Sequence, residues 1–140
     1  TGEPPILEGS YVDLFDARMA IRRDPVIGPD TRWRLCDLAR CPEHPWVIAA
    51  TGRVSDESWS GHRMHVVVEG MDGTTGAARV RLPGAAAEAA GGSAAPVTVT
   101  GRNVAAGAEV RVAPEWHAGT GTVLLRFANE PGGVALELGW

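Results

Sequence analysis

The sequence predicts an all-β protein, an antiparallel β-sandwich of jelly-roll type with about eight or nine strands. Three observations carry this expectation. First, the closing stretch Thr122–Trp140 alternates with period two on both sides of Asn129-Glu130-Pro131-Gly132-Gly133. Val123, Leu125 and Phe127 share one face before the turn, and Val134, Leu136, Leu138 and Trp140 share one after it, so a hairpin is predicted. Second, two further stretches alternate in the same way. His62, Met64, Val66 and Val68 oppose Arg63, His65, Val67 and Glu69, while Ala78, Val80 and Leu82 oppose Arg79 and Arg81. The two arginines predict a strand with one wet face. Third, Gly (18) and Pro (10) punctuate the chain into short segments, at the spacing that sandwiches show.

Taken in order, Thr1–Gly9 with Pro4-Pro5 reads as an extended lead-in or linker end. Ser10–Phe15 reads as a first strand. Ala17–Thr31 reads as a long connection with a brief extended piece at Met19–Ile21. Trp33–Leu38 reads as a strand or a strand running into a helical turn at Ala39-Arg40. Trp46–Val54 is β-rich, and Gly52 marks a bulge or a close approach. Ser55–Gly61 reads as a polar loop holding Trp59. Ala85–Ala95 is an Ala/Gly-rich stretch read as a pliable connection. Pro96–Arg102 and Ala108–Ala113 read as strands, and Pro114–Gly121 as a loop carrying Glu115-Trp116-His117. Trp33, Trp46 and Trp140 sit in or beside alternating runs and are assigned to the core.

At 140 residues the chain is read as one domain, 1–140, with its own core. The formal net charge of −4 and the scatter of the 13 basic residues argue against nucleic acid. All 13 are Arg. Abundant Ala, Gly and Pro attribute this to genome composition rather than to selection for anion recognition. No apolar run reaches the ~20 residues of a membrane helix. The chain opens at Thr1 without Met or signal peptide and closes on a core-type strand. The expectation is a mature or excised domain from the C-terminal end of a longer protein.

Candidate sites are few. Glu115-Trp116-His117 would form a sugar platform, with pyranose C–H faces on the indole and hydroxyls on the carboxylate; alternatively Trp116 caps the core. Trp59 beside Asp56 is weighed in the same way. Asp56, Trp59, Glu115, Trp116 and His117 are therefore the carbohydrate-binding candidates. Cys36 and Cys41 fit either free thiols or a disulfide closing a small loop. C-x4-C-x2-H over Cys36, Cys41 and His44 lacks a fourth zinc ligand unless His62 or His65 supplies it. His62 and His65 fall on opposite faces of a strand, which places His65 in a polar or solvent contact. Asp13 and Asp16 are too sparse for calcium. No nucleophile elbow, phosphate loop or H-E-x-x-H motif occurs, and no carboxylate pair stands out. No catalytic residue, metal or cofactor is predicted.

Three phrases carry a resemblance: Tyr11-Val12-Asp13-Leu14-Phe15-Asp16 followed by Asp24-Pro25-Val26-Ile27-Gly28-Pro29; Thr74-Thr75-Gly76-Ala77-Ala78-Arg79-Val80-Arg81-Leu82-Pro83; and Leu124–Val134. Together they resemble the C-terminal β-sandwich accessory domains of large bacterial carbohydrate-active enzymes. The resemblance implies a non-catalytic domain in a secreted or envelope-associated glycoside hydrolase-type protein. Its role would be structural support or weak carbohydrate binding. Its partners would be the catalytic domain of the same parent chain and a polysaccharide or oligosaccharide, with no membrane contact. The alternative is a structural protein-interaction module with no small ligand.

Overall fold

Alternation in the sequence becomes alternation in burial. Met64, Val66 and Val68 are buried, while Arg63, His65, Val67 and Glu69 face the other way. The computed structural model describes residues 2–30, 32–83, 85 and 97–140. Ala86–Ala95 of the Ala/Gly stretch lie outside the described residues. Twelve strands form among the described residues: β1 (Ser10–Asp13), β2 (Ile21–Arg23), β3 (Leu35–Asp37), β4 (Trp46–Ala50), β5 (Arg53–Ser60), β6 (Arg63–Glu69), β7 (Thr75–Arg81), β8 (Thr98–Asn103), β9 (Glu109–Val110), β10 (Val112–His117), β11 (Thr122–Ala128) and β12 (Val134–Gly139). A 3-10 turn at Leu38–Arg40 follows β3, capped by Asp37, whose carboxylate accepts from the Ala39 amide.

The fold is all-β, with antiparallel pairing throughout, in three sheets. A four-stranded sheet runs β10-β11-β7-β4 and a five-stranded sheet runs β5-β6-β12-β8-β9. Their inner faces enclose one core. Val80, Val123, Leu125 and Phe127 come from one side, and Met64, Val66, Val68, Leu136 and Leu138 from the other. This is the sandwich the alternation predicts. A small third sheet, β2-β1-β3, was not expected. Val12, Met19 and Leu38 pack on Ala77 and Leu124 of the four-stranded sheet's outer face. That sheet is therefore buried on both sides, and the layers run three, four and five strands.

The third layer corrects the reading of β7. Arg79 does not face water; it is 5% exposed, beneath the small sheet. Its Nε donates to the Met19 carbonyl at 2.7 Å and its Nη1 to Thr122 Oγ1 at 3.1 Å. Burial draws its pKa below the ordinary guanidinium value, and the nearby Glu115 carboxylate opposes the shift. Arg81 is half-buried and donates to the Leu38 carbonyl at 2.9 Å. Alternation identified the strand but not a cover over its polar side.

The closing stretch is not a hairpin. β11 pairs with β10 and β7, whereas β12 pairs with β6 and β8, so Asn129–Gly133 arches from one sheet to the other. Both apolar faces point into the same core from opposite sheets, which is why they alternate in concert. The arch is fixed at Asn129, whose side-chain amide donates to Thr74 Oγ1 at 2.9 Å and whose backbone amide donates to the Thr74 carbonyl at 2.9 Å. Gly132 and Gly133 adopt φ of 81° and 100°, a conformation that favours glycine. Gly52 makes the close approach expected of it: a Cβ there would collide with the Glu69 carbonyl.

Two expected loops are strands. Ser55–Gly61 is largely β5, an outer strand with a register shift between Val54 and Asp56. Glu115-Trp116-His117 belongs to β10, the edge of the four-stranded sheet, where Pro114 is tolerated. Their polar sequences reflect edge exposure rather than loop structure. Trp33 and Trp46 are half-buried rather than core; Trp33 lies in the small layer, where Arg22 covers its ring at 5.9 Å. Trp140 packs against the main core.

Candidate functional site

What packs over each sheet decides what it shows to solvent. The four-stranded sheet is roofed by the small sheet, while the outer face of the five-stranded sheet has no cover among the described residues. Register places Asp56 opposite Val67, Ser58 opposite His65 and Ser60 opposite Arg63. It also sets His65 opposite Glu137, Glu137 opposite Thr100, and Arg102 opposite Glu109. These outward positions make a polar band across the sheet. Along it lie adjoining cavities of about 650, 340 and 260 Å3. All three are bordered by Glu137, and pairs of them share His65, Arg63 or Thr100. Ala135 and Gly139 give the floor small side chains.

At its centre, His65 is held between two carboxylates. Its Nε2 lies 3.3 Å from Asp56 Oδ2, and its Nδ1 is bonded to Glu137 Oε1. Both contacts are hydrogen bonds only while the ring carries both protons. His65 is thus in the polar contact expected of it. Asp56 belongs to this band. Arg53 and Glu69 close it at one corner with a 2.6 Å ion pair.

Of the other carbohydrate candidates, Trp59 borders the 260 Å3 cavity at the β5 end of the band, and the rest lie elsewhere. Trp59 is 49% exposed, and its indole stacks on His44 with centroids 5.4 Å apart. It pairs in register with the core residue Met64, so it belongs to the inner side of β5, at the edge facing β4. Glu57 links the same edge, accepting from the Val47 amide at 2.9 Å. Trp116 lies at the opposite edge of the sandwich and packs on the main core, its Nε1 buried without a hydrogen-bond partner among the described residues. Glu115 and His117 face outward from β10; Glu115 pairs with Arg126 at 3.2 Å, and His117 Nδ1 meets Thr120 Oγ1 at 2.9 Å. The structure brings Glu115 and His117 together, and separately Asp56 with His65, but it does not join the two tryptophans in one platform.

Cys36 and Cys41 are free thiols, both half-buried against the small layer. Burial first, then the neighbouring Cys41 and Asp37, push the Cys36 thiol up to about 11. Among the described residues, no group of three or more His, Cys, Asp or Glu side chains is placed to hold a metal. Asp13 and Asp16 are engaged by Arg22 at 3.2 and 3.4 Å.

Sequence reasoning missed Arg63, Thr100, Arg102, Glu109 and Glu137. Each occupies the polar half of an alternating strand, which is the signal they carry. Strand order, which the sequence does not reveal, makes them neighbours. Comparison with protein-family models, curated proteins and solved structures finds no match.

Proposed function

We propose that this protein is a non-catalytic accessory domain that holds a polyhydroxylated ligand, an oligosaccharide or polysaccharide segment, on the open face of its five-stranded sheet. One observation carries the reading: of the two main sheets, one has its outer face covered by an apolar layer, and the other presents a polar band with adjoining cavities and no cover among the described residues. Four adjacent strands, β5, β6, β12 and β8, span roughly 14 Å at the usual strand spacing. That is room for a short oligosaccharide. Sugar hydroxyls donate and accept, and the band supplies carboxylates (Asp56, Glu137, Glu109), guanidinium donors (Arg63, Arg102) and hydroxyls (Ser58, Thr98, Thr100). Small floor residues allow close approach.

Binding without chemistry fits the arrangement. Both ring nitrogens of His65 are occupied by carboxylates, which leaves neither to move a substrate proton. Asp56 and Glu137 converge on that ring instead of opposing each other across a bond to be cleaved. The resemblance to accessory domains of glycan-processing enzymes agrees with such a role in a secreted or envelope-associated protein, beside a catalytic domain.

Affinity electrophoresis through gels containing neutral soluble polysaccharides tests this. Retardation by at least one glycan is expected. It should be lost in Glu137→Ala and Arg63→Ala and kept in Trp116→Ala. No retardation across a broad panel would favour a structural interaction module without a small ligand.

A further inference from the structure

The small sheet does not cover the whole outer face of the four-stranded sheet. Between its edge at Arg18, Ala20 and Ile21 and the outward side chains of β10 lies a cavity of about 270 Å3. Arg79 lines it from below, Arg126 and Arg18 border it, and Glu115 and His117 form the far wall. Arg79 is nineteen-twentieths buried, yet no carboxylate lies within 4 Å of it among the described residues. Nε and Nη1 are used on Met19 and Thr122, leaving Nη2. Glu115 is already held by Arg126. Three guanidinium groups thus face one carboxylate, and the buried one, Arg79, has no carboxylate in direct contact among the described residues. Such a cation is costly until an anion joins it. Nη2 keeps two charged N–H donors for an oxyanion. A hydrogen-bonded chain from His117 through Thr120 and Thr122 reaches Arg79, fixing its position.

We infer that this cavity is an oxyanion site, taking a carboxylate or phosphate group of a small ligand with Arg79 as its buried anchor. The site is separate from the polar band and does not depend on the glycan reading.

The test is an NMR titration of the Arg79 Nε–H resonance with inorganic phosphate and, in a second arm, with acetate, at constant ionic strength set by chloride. Assignment uses Arg79→Lys. A saturable shift is expected in at least one arm, and the arm that saturates at lower concentration names the group. Arg18→Gln should weaken it about threefold to fivefold, the scale of one exposed charge contact. Glu115→Gln should strengthen it by a similar factor by removing a like charge. No saturable shift with either anion overturns the proposal. So does a shift that both variants leave unchanged. If Arg79→Lys does not fold, the other two variants still decide the outcome.

Discussion

Arg79 donates its Nε–H to the carbonyl oxygen of Met19 at 2.7 Å, across the boundary between the four-stranded sheet and the small sheet. Met19 is buried and holds φ of 48°, in the left-handed region that non-glycine residues rarely adopt. Such a conformation costs about 1–3 kcal/mol and persists only when its surroundings determine it. A charged donor aimed at the Met19 carbonyl is part of that determination.

Arg79→Ala should therefore destabilise the protein by about 1–3 kcal/mol in urea melts, the scale of charged hydrogen bonds lost from buried acceptors, with relief of guanidinium burial offsetting part of it. The effect should be local. Hydrogen exchange should accelerate at Val12, Asp13 and Ile21 and change little in β6 and β12. Unchanged protection of the small sheet would contradict the pinning role.

The arch between β11 and β12 joins the two sheets through one core. Leu125 and Leu136 are fully buried on opposite walls of it. Leu125→Ala or Leu136→Ala should each cost about 2–5 kcal/mol. A loss under about 1 kcal/mol in denaturant melts would mean that these strands do not centre the core.

Cys36 retains its proton to a higher pH than an ordinary thiol, chiefly through burial, with its folded value near 11. Alkylation of Cys36 should stay slow at pH 8 and rise only toward pH 11, as read by mass spectrometry of the labelled peptide. Linkage has a definite sign here. Between the unfolded value near 9.0 and the folded value, the native state binds the proton and the unfolded state does not. This group's contribution is complete below pH 9 and is lost as pH rises through 11. Cys36→Ala should flatten that part of the stability profile.

Strands were legible in the sequence, and neighbours were not. Period-two patterns located β6, β7, β11 and β12 because burial on one face selects them. The same patterns are silent on pairing, so β11 and β12, adjacent in sequence with a turn between, read as a hairpin although they lie in different sheets. The third layer was hidden because its apolar residues, Val12, Leu14, Met19 and Leu38, come from short pieces scattered among prolines. Leu124, on the face of β11 that also carries Thr122 and Arg126, was an apolar residue that signalled a cover. For the site, Asp56 was named from its neighbour Trp59. Its working partners, His65 and Glu137, lie on strands β6 and β12 that only the fold sets side by side.

The central claim is that the uncovered face of the five-stranded sheet binds glycan, and amide chemical-shift mapping addresses it most directly. Isotope-labelled protein would be titrated with neutral oligosaccharides drawn from the polysaccharide that retards it most, or from the whole panel if none does. The account predicts saturable shifts concentrated at Arg63, His65, Thr100, Arg102, Ala135 and Glu137, with Glu115, His117 and Arg79 unmoved. Shifts centred on the β10 edge, or none with any sugar, would contradict it.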